Sequence, residues 1–235
     1  GAVSAPPTVL DGRVYFGDEA GMFHCVDADR GRLHWQVETN DKILAAANWW
    51  DAPDGRRLII VGSYDFKLYA MDAETGETVW TCETGNYVNG AVAVTGDHVI
   101  LASCDKRMRV FDPADGTLIS EVDLGSFVAA SAATRDGYVY VGHYENLLLE
   151  VGLDPAGITW EYEAGDAIVT TPAVNEDLIV FGAQDQHVHS VRRADGTGRW
   201  KTPTGGEGKS SPVICGDEVV FGSGDGRVYI ASLDD

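Results

Sequence analysis

Short apolar runs recur along this chain at a nearly constant spacing. Each run ends on a small residue, and these six positions are Gly17, Gly62, Ala102, Gly142, Gly182 and Gly222. When each is taken as position zero, an apolar residue stands at position six in every copy: Phe23, Leu68, Met108, Leu148, Val188 and Val228. A fixed period of about 40 residues predicts a stacked or closed array of one repeated unit.

Each repeat contains four short segments with strand-like patterns. The segment before position zero is apolar at consecutive positions, as in Ile59-Ile60-Val61, which favours a strand covered on both faces. The segment around position six alternates, as in Lys67-Leu68-Tyr69, which favours a half-buried strand. Gly, Asp and Asn separate the segments, as is typical of turns. Four-stranded units repeated radially predict an all-β, six-bladed β-propeller of four-stranded blades.

The whole chain is predicted to form a single propeller domain, 1–235, with repeats at about 1–40, 41–85, 86–125, 126–165, 166–205 and 206–235. The first strand of each blade is placed on small residues, such as Ala45-Ala46-Ala47 and Ser210-Ser211-Pro212, because bulky side chains do not fit where inner strands converge on an axis. The last repeat stops before its outer strand. Either the sixth blade has three strands, or residues of a longer parent chain complete it.

The turn that follows the third strand resembles a known motif. The run Ala70-Met71-Asp72-Ala73-Glu74-Thr75-Gly76-Glu77-Thr78-Val79-Trp80 resembles the tryptophan-docking motif of quinoprotein-type (PQQ-like) propeller repeats. Trp35, Trp160 and Trp200 stand at the same position of other repeats, and Ser120 is a departure from it. The resemblance covers essentially the whole chain and implies a propeller. It implies no particular cofactor, because such repeats build quinone-dependent alcohol dehydrogenases, a cofactor-free lipoprotein of the bacterial outer-membrane assembly machinery, and sensor domains attached to kinases.

The composition narrows the choice of partners. Thirty-seven acidic residues against 17 basic ones give a net charge of −20, which disfavours nucleic acid and anionic membrane surfaces as partners. Basic proteins or peptides, cations or a salty environment fit this charge better. The longest nearly apolar run, Ile43 to Trp50, is too short to span a bilayer, and no signal peptide is present. The four cysteines follow no metal-binding spacing. The compartment stays open, although the resemblance favours an extracytoplasmic, periplasmic location.

Few residues suggest catalysis or metal binding. An acidic residue stands at position three in five repeats, and a symmetric column of this kind is expected to serve the turns rather than a single site: Asp65, Asp105, Glu145, Asp185 and Asp225. His187 and His189 share one face of a strand, but a metal needs three or four ligands. We therefore predict no catalytic residues and no metal site.

A binding surface is expected on the turns after position zero and on the loops between blades, because such loops carry recognition on a rigid scaffold. The candidate residues there are Tyr64, Phe66, Tyr87, Asn89, Lys106, Arg107, His143, Tyr144, Gln184 and Gln186. A second candidate surface is an inserted loop between the first two strands of blade two, which is expected to carry Trp49 and Trp50.

These observations favour a non-catalytic propeller that acts as a protein-interaction scaffold or ligand-sensing module, either as a monomer or as part of a larger multidomain chain, and without a cofactor. One alternative is a quinone (PQQ)-dependent dehydrogenase domain or a remnant of one. Against it, the family's enzymes carry an adjacent Cys-Cys pair that this sequence lacks. A second alternative is a metal-dependent, lactonase-like hydrolase, for which Asn89 is the one obvious ligand.

Overall fold

The computed structural model describes residues 1–234, and all regular secondary structure in that range is β-strand. Within the same range, no helix is long or apolar enough to cross a membrane. The strands form six antiparallel sheets, one for each sequence repeat, and the strands of each sheet are neighbours in chain order. Five sheets have four strands and the last has three, so the fold is an all-β, six-bladed β-propeller, as the repeat predicts.

The first three blades are built from the following strands. Blade one contains β1 (Thr8–Leu10), β2 (Arg13–Gly17), β3 (Met22–Asp27) and β4 (Leu33–Glu38). Blade two contains β5 (Asn48–Asp51), β6 (Arg57–Gly62), β7 (Lys67–Asp72) and β8 (Thr78–Glu83). Blade three contains β9 (Ala93–Thr95), β10 (His98–Ala102), β11 (Arg107–Phe111) and β12 (Leu118–Asp123).

The remaining three blades follow the same order. Blade four contains β13 (Ala133–Arg135), β14 (Tyr138–Gly142), β15 (Leu147–Leu153) and β16 (Ala156–Glu163). Blade five contains β17 (Ala173–Val174), β18 (Leu178–Ala183), β19 (His187–Arg192) and β20 (Gly198–Pro203). Blade six contains β21 (Val213–Cys215), β22 (Glu218–Gly222) and β23 (Val228–Ser232), and lacks a fourth strand among the described residues.

The chain divides into two compact units, Gly1–Glu121 and the part that begins at Val122. Blades one to three belong to the first unit except for the last two residues of β12, and blades four to six belong to the second. Each unit has its own buried apolar clusters. In the first unit Trp35, Ile59 and Met71 belong to one such cluster, and in the second unit Tyr140, Phe181 and Val191 belong to another.

The second strands of blades two to five are buried on both faces, as their apolar runs predict, but the third strands of blades two, four and five differ from the prediction. In β6, Leu58 to Gly62 are all buried, and in β7 the four residues Leu68 to Met71 are buried as well. The alternation expected for the third strand occurs in β3 and β23, and also in outer strands such as β8. The prediction was wrong for β7, because its residues Leu68 to Met71 are buried on both faces of the sheet.

The first strands begin after the small residues on which they were placed, as in blade two, where β5 starts at Asn48 rather than at Ala45. Thr170 shows the reason in blade five. Its hydroxyl group donates to the carbonyl oxygen of Gly182 (2.9 Å) and accepts from the N–H of the same residue (3.2 Å). The side chain therefore occupies the backbone groups that a ladder would use, and backbone pairing starts only at Ala173, opposite Val180.

Glycine at position zero allows the loop between blades to pack against the end of the second strand. A Cβ atom at Gly62 would lie 2.0 Å from Cγ1 of Val88, and one at Gly142 would lie 2.1 Å from Cγ2 of Ile168. Val88 and Ile168 are fully buried. Glycine is thus a packing requirement in these two blades, since a side chain would displace the apolar residue of the following loop, whereas blade three has Ala102 at this position.

Tryptophan at position eighteen connects consecutive blades. In each of the four cases the indole Nε1–H donates to a backbone carbonyl oxygen after the third strand of the next blade, and the pairs are Trp35 to Ala73 (3.1 Å), Trp80 to Pro113 (2.8 Å), Trp160 to Arg193 (3.1 Å) and Trp200 to Leu233 (3.0 Å). Glycine is needed in the same turn, because a Cβ at Gly116 would lie 2.8 Å from the Trp80 ring. The repeated motif therefore supplies a paired donor in four blades, and the ring is buried at Trp35 and Trp80.

Candidate functional site

The turns after position zero and the loops between blades lie side by side, as the sequence predicts. In the first unit the N–H of Tyr64 donates to the carbonyl oxygen of Lys42 (2.9 Å), and the N–H of Val88 donates to that of Ser63 (3.3 Å). In the second unit the N–H of Tyr144 donates in the same way to Phe127 (3.1 Å). Each turn is thus held between two loops by backbone hydrogen bonds.

Four of the predicted binding residues form one cluster in blade two, which we call the aromatic cluster: Tyr64, Phe66, Tyr87 and Asn89. The rings of Tyr64 and Tyr87 stack with centroids 4.7 Å apart, and the Phe66 ring meets Tyr87 edge-on at 5.1 Å. The Tyr64 hydroxyl donates to Oδ1 of Asn89 (2.7 Å). Lys42, which the sequence analysis did not select, places its Nζ 4.5 Å from the centre of the Tyr64 ring.

The aromatic cluster is open to solvent. Phe66 is 42% exposed and Tyr87 is 43% exposed, although both are large apolar rings. Exposed aromatic side chains that are mutually ordered lose little conformational entropy on binding, which is why such residues are enriched at the energetic centres of protein interfaces.

The tip of each turn adopts a left-handed backbone conformation, which the sequence analysis missed. At position four of the repeat, φ is positive in all six blades, and the residues are Gly21, Phe66, Lys106, Asn146, Gln186 and Gly226. Large side chains rarely adopt this conformation, and each costs on the order of 1–2 kcal/mol there. The signal was present in the sequence, since two glycines and an asparagine occupy this column.

Three of the predicted binding residues are therefore held in a strained conformation. Phe66 has φ of 69°, Lys106 of 70° and Gln186 of 67°. Glycine at the same position in blades one and six shows that the fold itself does not need a side chain there. Strain that persists without a structural need is a pointer to function.

The neighbouring candidate Arg107 is exposed and makes a salt bridge with Glu121, which also receives Nε of Arg109 at 2.7 Å. Arg107 therefore belongs to a surface ion-pair network along blade three.

In the second unit, Tyr144 is 50% exposed, whereas its neighbour His143 is buried. Gln184 is anchored through its backbone N–H, which donates to the carbonyl oxygen of Ala167 (2.9 Å).

Trp49 and Trp50 do not lie on an inserted loop. They belong to strand β5, and the loop that follows is Ala52 to Arg56. Trp50 is buried, and its indole N–H donates to the carbonyl oxygen of Gly96 (3.1 Å), while Trp49 packs against a buried cluster of the first unit. The insertion thus falls mainly in the loop 52–56, which is longer than the corresponding turns of the other blades, and the expectation that this loop carries the two tryptophans was wrong.

The acidic column serves the turns, as expected. The carboxylate of Asp185 accepts backbone N–H groups from Gly165 (3.1 Å) and His187 (3.1 Å), and it also lies 3.1 Å from Nε2 of His189. Burial disfavours ionisation of Asp185, but the hydrogen bond and charge of His189 together with the Gly165 N–H outweigh it and lower the pKa of the carboxyl. Asp65 and Asp105 likewise accept N–H groups from the preceding blade, at 3.0 Å from Asn40 and 2.8 Å from Gly85.

His189 belongs to this structural network. Its Nδ1 lies 3.1 Å from the Tyr162 hydroxyl, and its ring stacks on Phe181. Burial lowers the pKa of His189 in spite of the neighbouring Asp185. Across residues 1–234, no three His, Cys, Asp or Glu side chains converge in a way that could hold a metal ion.

Comparison with known proteins places the chain in a family. A family model described as outer membrane protein assembly factor BamB matches residues 1–102, 49–119 and 105–235, so the chain belongs to this family of PQQ-like propeller repeats. Among solved structures, BamB from Moraxella catarrhalis superimposes with a TM-score of 0.80 at 19% identity, covering 99% of this chain and 74% of that one. The computationally designed protein Ika8 gives a TM-score of 0.86 at 18% identity, covering 99% of this chain and 71% of that chain.

Curated relatives match only part of the chain. Quinohemoprotein alcohol dehydrogenase of Comamonas testosteroni is 28% identical over 100 residues, and the enzyme ADH-IIG of Pseudomonas putida is 30% identical over 100 residues. Each match covers 40% of this chain and 14% of the relative's length. The similarity is thus one of repeats rather than of whole proteins.

Proposed function

We propose that this protein is a non-catalytic interaction scaffold whose aromatic cluster binds a partner protein. The observation that carries the proposal is the strained, exposed Phe66, which stands where the same fold places glycine in two other blades. A large ring kept at a position that disfavours it, and packed beside an equally exposed Tyr87, has the character of an interface anchor.

The family supports the proposal. The family is described as an outer membrane protein assembly factor, a role that depends on contacts between proteins. We extend this to an extracytoplasmic location for this chain, on family grounds alone. The net charge of −20 favours a partner with a basic surface.

A second candidate is a quinone-dependent dehydrogenase domain, which the partial matches to quinohemoprotein alcohol dehydrogenases favour. The residues present do not fit such a centre well: the cysteines are Cys25, Cys82, Cys104 and Cys215, none adjacent in sequence, and residues 1–234 offer no cluster of metal ligands. An ultraviolet-visible spectrum before and after addition of PQQ and calcium separates the two. A bound quinone that resists dialysis would favour the enzyme.

The scaffold function is tested by photo-crosslinking in cells of the source organism. A benzophenone amino acid is placed at position 66, and at position 79 as a control, since Val79 is similarly exposed (39%) but lies on the outer strand β8. We expect position 66 to capture a specific protein that position 79 does not. Equal capture from both positions, or none from position 66, would overturn the proposal.

A further inference from the structure

The second unit contains a cavity of about 340 Å³ beside blade four. We call it the blade-four cavity, and its lining residues are Asp123, Leu124, Gly125, His143, Glu145, Leu147, Leu149, Ile158 and Glu161. The lining is partly apolar and partly acidic. Leu147, Leu149 and Ile158 form an apolar wall, and the carboxylates of three other lining residues surround the cavity.

The cavity occurs where blade four departs from the other blades. Elsewhere an acidic turn residue pairs with a polar side chain at position seven of the repeat, as in Tyr69 to Asp65 (2.5 Å), Arg109 to Asp105 (2.7 Å), His189 to Asp185 (3.1 Å) and Tyr229 to Asp225 (2.6 Å). In blade four these two positions hold Glu145 and Leu149. Leucine offers no donor, so the Glu145 carboxylate has no partner among the described residues.

His143 adds a second, independent feature. It is only 2% exposed, it lines the cavity, and its Nδ1 accepts the backbone N–H of Glu145 (3.1 Å). The proton of the neutral ring is therefore on Nε2, and the structure gives this N–H no acceptor among residues 1–234. Because His143 lines the cavity, this N–H is available to an oxygen atom of a ligand bound there.

The electrostatics agree with this geometry. Burial lowers the pKa of His143, although the negative charges of Glu145 and Glu161 act in the opposite direction. Both carboxylates are therefore close enough to influence the imidazole. Glu145, Glu161 and Asp123 are exposed, and within residues 1–234 only Asp123 has a hydrogen-bond partner for its carboxylate, the N–H of Gly125 at 2.9 Å.

We infer that the blade-four cavity binds a lysine or arginine side chain of a partner polypeptide. The aliphatic stem lies along Leu147, Leu149 and Ile158, and the cationic end meets Glu145 and Glu161. A backbone carbonyl oxygen of the same segment accepts from Nε2 of His143. The inference names the chemistry of one partner contact and so rests on the proposed interaction function, but it uses a site separate from the aromatic cluster.

Three other classes of ligand fit the cavity less well than a lysine or arginine side chain of a polypeptide. A metal ion lacks a set of three converging ligands in the described part of the chain. A polyamine would satisfy the carboxylates but has no oxygen for the His143 N–H. An anion would be repelled by the three carboxylates and by the net charge of the protein.

The test uses the whole chain and short model peptides. Acetyl-Gly-Arg-Gly-amide, its lysine counterpart and an uncharged citrulline counterpart are titrated while the histidine side-chain nitrogens are followed by ¹⁵N NMR. We expect a saturable shift of the His143 Nε2 signal with arginine and lysine, and little with citrulline. The double variant Glu145→Gln/Glu161→Gln should weaken binding about tenfold, because it removes two charge-assisted contacts.

A matched control removes two negative charges elsewhere in the same unit. Asp217→Asn/Glu218→Gln has the same effect on net charge, and neither residue lines the cavity. Equal weakening by both double variants, equal binding of the citrulline peptide, or a saturable shift with spermidine but none with the peptides would each overturn the inference. Because the readout is local to His143, such a failure leaves the aromatic cluster and the photo-crosslinking result untouched.

Discussion

The indole Nε1–H of Trp80 donates a 2.8 Å hydrogen bond to the backbone carbonyl oxygen of Pro113, in the next blade along the chain. Trp80 is 7% exposed, so neither group has ready access to water. The repeat that is visible in the sequence is thus a repeat of contacts between consecutive blades, rather than of isolated sheets.

Replacement of Trp80 by Phe is expected to lower the free energy of unfolding by about 1–3 kcal/mol, because it leaves the Pro113 carbonyl oxygen unpaired in a buried site. Trp49→Phe is the matched control, since the structure records no hydrogen bond from the Trp49 indole among the described residues and this ring is only partly buried. Urea denaturation measures both. A loss at Trp49 as large as that at Trp80 would contradict the role of the hydrogen bond.

Two acidic residues at position three of the repeat are expected to contribute differently to stability. Asp185→Asn weakens the acceptor for Gly165, His187 and His189, and is expected to cost about 1–3 kcal/mol. Glu145→Gln, at the same position of blade four, should change stability by less than about 0.5 kcal/mol, because its carboxylate is exposed and unpaired among the described residues. The two variants are compared by thermal and urea unfolding, and similar effects would show that the column does not act through these bonds.

Strain at the turn tips predicts a difference between two glutamines of one turn. Gln186 has φ of 67°, whereas Gln184 is not among the residues with positive φ. Gln186→Gly should therefore be more stable than Gln184→Gly by about 1–2 kcal/mol, because glycine relieves strain only at the first of these positions. Equal unfolding free energies for the two variants would mean that the left-handed conformation carries no cost.

The buried tyrosines predict loss of stability at alkaline pH. Burial raises the pKa of Tyr15 from 10.0 to about 12, and the nearby Cys25 adds to the effect. The folded protein keeps this proton while the unfolded chain releases it, so the free energy of unfolding falls as pH rises from about 10 to about 12. Burial also raises the pKa values of Tyr69 and Tyr140. Tyrosinate absorbance and circular dichroism, recorded together as the pH is raised, measure ionisation and unfolding. Ionisation of all tyrosines near pH 10 in a protein that stays folded would refute the prediction.

The sequence predicts the architecture well because the residues that fix it recur. Position zero is glycine in five repeats, as at Gly62, which packs against Val88, and position eighteen is tryptophan in four, as in Trp80. Requirements of this kind appear as columns at a period of 40 residues, and the number of blades and the short last blade follow from counting them.

Features that do not recur in the repeats, or that depend on backbone conformation, could not be predicted from the sequence. Thr170 replaces backbone pairing by side-chain bonds, which moves the start of β17, and Trp50 becomes part of strand β5 rather than of a loop. In the sequence Leu149 looks like an ordinary apolar strand residue. It stands where four other repeats have a polar side chain that pairs with the acidic turn residue, and this difference leaves Glu145 unpaired among the described residues. The left-handed turn tip at Phe66 is signalled in the sequence only by the glycines and the asparagine that occupy the same position in blades one, six and four.

The measurement that tests the scaffold function most directly is the affinity of the protein captured from position 66 for purified wild type and for Phe66→Gly. This substitution removes the ring and relieves the strain, so the loss of the Phe66–Tyr87 contact is offset and stability should change by less than about 1 kcal/mol. The account predicts that the variant stays folded and binds the partner at least about tenfold more weakly, as expected for an interface anchor. Unchanged affinity in a folded Phe66→Gly protein would contradict it.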